Sequence, residues 1–219
     1  MGRSIQYILP SSFRIKGEKV NNYFFIVVLI FCIFLIAVSV NPFTEEYMFI
    51  NPIPYMLAHY SLFGAGILLS YYIIRRKIVD KSIAVIVGAS IAFLWHYPYF
   101  FNLGAEILSV RLIEEVSLVI GGLMIGSSLK ELSRNFKVLL LALWMIGDSI
   151  LSLILMISPS LYTTVYAPQG LEYVGIIMFL MMNLIAVYLL LKYVNNLLRD
   201  EKDVVNEDYQ RNTYPKNEH

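Results

Sequence analysis

The sequence predicts an all-α fold, a polytopic six-helix transmembrane bundle with both termini cytoplasmic, and three observations carry that prediction. The composition is 58% hydrophobic with only 15% charged residues, which suits a bilayer rather than water. Six apolar stretches can each cross a hydrocarbon core of roughly 30 Å, a distance that takes about 20 helical residues. Lysine and arginine gather at alternate ends of those stretches, as they do on the cytoplasmic side of membrane helices.

The stretches span about 22–40, 54–74, 82–100, 110–129, 138–158 and 171–191. A polar leader, 1–21, carries Arg3, Arg14, Lys16 and Lys19 ahead of the first. That leader is long and the apolar run exceeds the roughly 7–15 residues of a signal peptide, so the first stretch reads as an uncleaved helix. Cys32, the single cysteine, lies within it; no disulfide or Cys-x-x-Cys motif is possible, and a buried structural thiol is expected. Arg75, Arg76, Lys77 and Lys81 join the second stretch to the third. The third is the weakest, because Lys81 and Pro98 leave it short unless the aromatic run after the proline completes it. Lys130, Arg134 and Lys137 join the fourth to the fifth. The opposite turns are marked by Pro42, Pro52, Pro54, Pro98, Pro159 and Pro168, whose missing N–H suits helix ends. The membrane domain therefore covers 22–194, and the polar segment 195–219 reads as a short helical extension followed by a disordered cytoplasmic tail.

These features describe a multi-pass cell-membrane protein whose first partner is the lipid bilayer. A net charge of +1 without a basic stripe gives no support for a nucleic-acid partner. No phosphate-binding glycine loop, His-Glu-x-x-His or nucleophile elbow is present, so no enzymatic activity is expected. The run GGLMIG at 121–126 reads as helix-packing glycine.

Ionisable side chains inside membrane segments are expensive and each calls for an explanation. Counted from the nearest basic anchor at 1.5 Å per residue, His59, His96 and Glu115 all stand roughly 22–24 Å up, on three different helices. Each lies in line with small residues: His59 with Gly66 and Ser70, His96 with Ala92 and Gly88, Glu115 with Gly122 and Gly126. Small residues mark close helix contacts, so all three point into the bundle. Glu114 stands one residue higher, and Arg111, three residues before it, is close enough for an ion pair. Asp148 lies near mid-bilayer at a depth shared with Asn183, which suggests a hydrogen bond between them.

Three readings of the histidines stay open. They can be interfacial imidazoles in an aromatic belt. They can hold a metal such as copper, with Glu115 or Met56 added, since Met56 shares the face of His59. They can ligate haem b axially. A small transporter with Asp148 and Asn183 on a polar path is a further alternative.

The segments PYMLAHYSLFGAGILL (54–69) and FLWHYPYFFNLGAEILSVRLIEEVSLVIGGLMIG (93–126) resemble the CtaG-type proteins linked to cytochrome-oxidase assembly, and a smaller archaeal group of uncharacterised membrane proteins. Met-Leu-x-His, Trp-His-x-Pro and Glu-x-x-Ser before Gly-Gly carry the resemblance, over about a third of the chain. It implies a non-enzymatic accessory or assembly protein of a haem-copper oxidase complex, whose subunits would be its partners. His59 and His96 would then bind copper near the outer face. The chain departs from that pattern at Tyr55, Arg111 and Glu115, where further histidines would be expected.

Overall fold

A computed structural model describes residues 22–162 and 164–213, and every regular element among them is helical. In chain order these are α1 (Asn22–Ser39), α2 (Pro42–Met48), α3 (Pro52–Leu68), α4 (Lys81–His96), α5 (Pro98–Glu106), α6 (Leu108–Ser128), α7 (Arg134–Ile157) and α8 (Pro168–Thr213). A π-helical turn, Leu69–Ile74, extends α3, and a 3₁₀ turn, Pro159–Tyr162, follows α7.

Local chemistry sets the boundaries. Asn41 and Asn51 accept the backbone N–H of Phe43 and Ile53, each at 2.9 Å, ahead of prolines at the first helical position of α2 and α3. Asp80 accepts the Ser82 N–H at 2.9 Å to start α4. That bond, helped by nearby Lys77, holds the Asp80 carboxyl below the usual range. Arg75, in the left-handed region at φ 55°, ends the π turn by donating its N–H to the Ser70 carbonyl.

The third apolar stretch does not run through the proline. Tyr97, extended at φ −72° and ψ 133°, closes α4 because a residue before proline is steered out of the helical region. The chain then turns by 70° into α5. A similar break of 52° separates α1 from α2. At the other end of the chain, α8 continues well beyond 194, to Thr213, through a stretch free of glycine and proline. The leader, its four basic residues and 214–219 lie outside the described residues.

Among the described residues three helices are long and apolar enough to cross a membrane, Pro52–Ile74, Arg134–Ile157 and Pro168–Lys192, and counting each of the two bent pairs as one span raises the number to five. The 21-residue α6 has the length, but Arg111, Glu114 and Glu115 crowd its first two turns.

Helix α6 is the centre of the packing, with α3 on one side and α4 on the other. Glycine makes this possible at the α3–α6 crossing. A methyl group on Gly66 would stand 3.0 Å from the Cα of Gly122 and strike the Val119 carbonyl; one on Gly122 would strike the Phe63 carbonyl. The two backbones are in contact, as the small-residue pattern predicts. Helices α7 and α8 pack chiefly on each other, and α8 reaches α3 through an apolar cluster that includes Met56, Phe101, Leu155, Val174 and Met178. Cys32 is fully buried and unbridged.

Candidate functional site

At the end of the bundle away from Arg75 and Lys130, α3, α4 and α6 meet the two bent helices, α2 and α5. Tyr55 and His59 lie one turn apart on one face of α3. The His59 ring is 3% exposed. Its Nδ1 stands 2.7 Å from the Tyr55 carbonyl and its Nε2 stands 2.5 Å from Glu114 Oε1. A carbonyl can only accept, so Nδ1 carries a hydrogen and donates it. One proton then lies between Nε2 and Oε1. The Tyr55 hydroxyl donates to Glu114 Oε2 at 2.7 Å and faces the Phe101 carbonyl at 3.1 Å. Gly104 closes over this group, since a methyl there would collide with Glu114 Oε2 and stand 2.5 Å from the Tyr55 hydroxyl.

Arg111 is fully buried and does not pair with Glu114, contrary to the expectation from their spacing. Its Nε donates to the Gly104 carbonyl at 3.0 Å and its Nη2 to the Ala105 carbonyl at 2.7 Å. Both carbonyls belong to the C-terminal turn of α5, where unpaired oxygens and the helix dipole favour a cation. Its Nη1 reaches Glu45 of α2, at 3.1 Å to the carbonyl and 3.4 Å to Oε2, and its Cζ lies 3.9 Å from the Phe49 ring centre. The planar fork thus joins both bent helices to α6. Glu115 turns to the same place, with its carboxyl within hydrogen-bonding range of Glu45. Among the described residues, Oε1 of Glu45 and Oε1 of Glu115 find no hydrogen-bond partner. Three carboxyls and one guanidinium in a buried space require protons or a cation for balance.

His96 ends α4 with its ring centre 5.4 Å from that of His59. Its Nδ1 donates to the Ala92 carbonyl at 2.6 Å, and its own carbonyl accepts the Tyr162 hydroxyl at 2.9 Å. Its Nε2 is buried and has no partner among the described residues. His96 also lines a cleft of about 640 Å³, together with His59, Tyr60, Phe63, Trp144 and Asp148. The cleft exists because α7 packs on α8 and stands off from α4 and α6. At its rim Phe93 is 75% exposed, so the cleft opens sideways, across the helix axes.

The remaining expected site residues are dispersed. Asp148 Oδ2 accepts from Trp144 Nε1 at 2.8 Å and from the Tyr60 hydroxyl at 3.0 Å, not from Asn183. Asn183 lies on the exposed face of α8 and donates to its own helix at the Phe179 carbonyl, 2.7 Å away. A shared depth does not give a shared face. Met56 is packed in the apolar cluster against α8. Among the described residues, no group of three or more His, Cys, Asp or Glu side chains is placed to hold a metal ion.

Residues 30–196 match the profile of a family described as protein of unknown function (DUF1404). The chain belongs to that family. No curated protein and no solved structure matches it. The family match spans α2 to α7 entire, so the buried network falls inside it with the cleft, and it carries no information on the CtaG-type resemblance.

Glu45, Gly104, Tyr60 and Trp144 were not singled out by sequence. For Glu45 a signal existed: Arg111 is the lone basic residue in the connections at its end of the bundle, and a buried cation needs an anion. Nothing local points to Trp144, whose role depends on α7 facing α3 across the cleft.

Proposed function

We propose that the protein is a non-enzymatic accessory protein of the cell membrane, crossing it six times with both termini cytoplasmic, that holds a lipid-soluble ligand in the cleft between α4 and α7. The observation that carries this reading is the cleft itself, about 640 Å³ and lined chiefly by apolar side chains, a size that suits a ligand. The sixth crossing is α6, whose charges are compensated by His59, Glu45 and the α5 carbonyls rather than exposed to lipid. The test is organic extraction of protein purified in mild detergent, with mass spectrometry of the compounds retained. Gly147 lines the cleft, and a Cβ added there meets no atom within 4 Å. Gly147→Phe should therefore lose whatever the wild type retains; identical extracts would sink the reading.

A place beside a haem-copper oxidase rests on the CtaG-type resemblance alone. The donors as arranged do not fit a two-histidine copper or haem site, because both nitrogens of His59 are already committed. Elemental analysis of the chelator-free protein addresses this directly. Near-stoichiometric copper or iron that His59→Ala removes would show that His59 leaves Glu114 to bind metal.

A further inference from the structure

The buried network around Arg111 contains a pair of carboxyls that no donor satisfies, and the pair stands apart from the cleft and from whatever the cleft holds. Glu115 is 5% exposed, and its Oε1 is buried without a hydrogen-bond partner among the described residues. Oε1 of Glu45, on α2, is in the same position. The two carboxyls lie within hydrogen-bonding range of each other. Ionised, both are acceptors only and no bond can form between them. A single proton placed between them makes a charge-assisted O–H···O⁻ bond and supplies the donor that both lack. We propose that Glu45 and Glu115 are a proton-binding site, in which one shared proton clamps α2 to α6 and its release to water frees α2.

Charge balance calls for the same single proton. Glu114 and His59 together are neutral, since Nδ1 keeps its hydrogen and one proton lies between Nε2 and Oε1. Arg111 adds one positive charge. With Glu45 and Glu115 both ionised the cluster would carry one excess negative charge; with a proton shared between them the sum is zero, the state that burial favours. The other titratable groups of the surrounding elements leave this balance intact. From α3 come Tyr55 and His59, both bonded to Glu114, and from α4 His96, whose ring meets that of His59. Helix α1 has no Asp, Glu, Lys, Arg or His, and Glu46 of α2 and Glu106 of α5 are exposed. A metal cation is the poorer occupant. It would stand beside the guanidinium, whose Nη1 is 3.4 Å from Glu45 Oε2, and the carbonyls of Glu45, Gly104 and Ala105 are already turned to Arg111.

Helix α2 is only seven residues long, too short to be stable by itself, and depends on its ties to the bundle. Two of these are Glu45 and the Met48 carbonyl, which accepts the Tyr166 hydroxyl. Loss of the proton replaces the bond at Glu45 with repulsion between like charges. Glu45 is the most exposed member of the cluster at 9%, so the proton leaves as α2 moves.

The experiment uses the full chain in lipid nanodiscs, in buffers from neutral to alkaline, and reads the hydrogen-exchange protection factors of the α2 amides together with thermal unfolding. The folded chain holds one proton that the unfolded chain releases, so stability falls as the pH rises through the titration of the pair. In the wild type, α2 protection should drop about tenfold across that range, the value of roughly one hydrogen bond, while the α3–α6 crossing stays protected. Glu115→Gln gives Glu45 a permanent N–H donor and keeps the cluster neutral; it should fold, and its α2 protection should no longer follow pH. Glu45→Gln should lose the pH response in the same way. The double variant leaves Arg111 without an anion and should melt below either single one. Protection of α2 that is flat with pH in the wild type, or that still falls in both single variants, overturns the proposal. Failure of both single variants to fold also counts against it, since each preserves a donor and the neutral sum. Wild-type stability that rises with sodium or potassium at fixed pH, and stops doing so in Glu115→Gln, assigns the site to a cation and overturns the proton.

Discussion

The two halves of the bundle hold together by different means. Around α6, the α3 and α4 backbones come close enough for glycine to be required, and the buried charges of Arg111, Glu114 and His59 are met by named partners. Around α7, contact is chiefly with α8, and a cleft of about 640 Å³ separates it from α4 and α6. The α6 half is closely packed; the α7 half leaves room.

The largest effect that would break this contrast lies at Arg111. Arg111→Met removes the donors to Glu45 and to the carbonyls of Gly104 and Ala105, and should cost about 3–5 kcal/mol because the buried acceptors are left unpaired. Arg111→Lys should recover little, since one ammonium cannot match a planar fork. Thermal unfolding in detergent measures both; a small loss in Arg111→Met would mean the network is hydrated rather than closed.

Glycine substitutions sharpen the comparison at the next level. Gly122→Ala would drive a methyl into the Phe63 carbonyl and should cost about 1–3 kcal/mol. Gly64→Ala, on α3 in open space only two residues from Gly66, should be neutral or stabilise by up to about 1 kcal/mol, the helix preference of alanine. If the two variants melt alike, the α3–α6 contact is looser than described.

The smallest expected change is at the cleft wall. Asp148→Asn retains an acceptor for Trp144 and Tyr60 and should shift stability by no more than about 1 kcal/mol. A loss comparable with Arg111→Met would place Asp148 in the structural network instead of the ligand site.

Much of this was legible in one dimension. Hydropathy located the three helices long and apolar enough to cross a membrane, and the prolines at 42, 52, 98 and 168 marked helix starts. The alignment of Gly66, Gly88, Gly122 and Gly126 with the polar residues marked the seams that the fold uses. These properties depend on residues a turn or two apart, and helical geometry alone carries them. The levelling of His59 with His96 also held, as their 5.4 Å ring contact shows. Partner choice was not legible. Arg111 sits three residues from Glu114, yet its fork reaches α2 and α5, whose positions depend on two bends of 52° and 70°.

The sequence by itself determined that the chain is helical and membrane-bound, which positions are charged, and which faces are small enough for close contact, because composition and the 3.6-residue period are local quantities. Only the tertiary structure decided that Glu114 takes a proton in common with His59, that Arg111 caps α5 through Gly104 and Ala105, and that Nε2 of His96 is buried without a partner among the described residues. Those outcomes depend on how far apart non-adjacent helices settle, and that spacing is set by packing across the whole bundle rather than by any short stretch of chain.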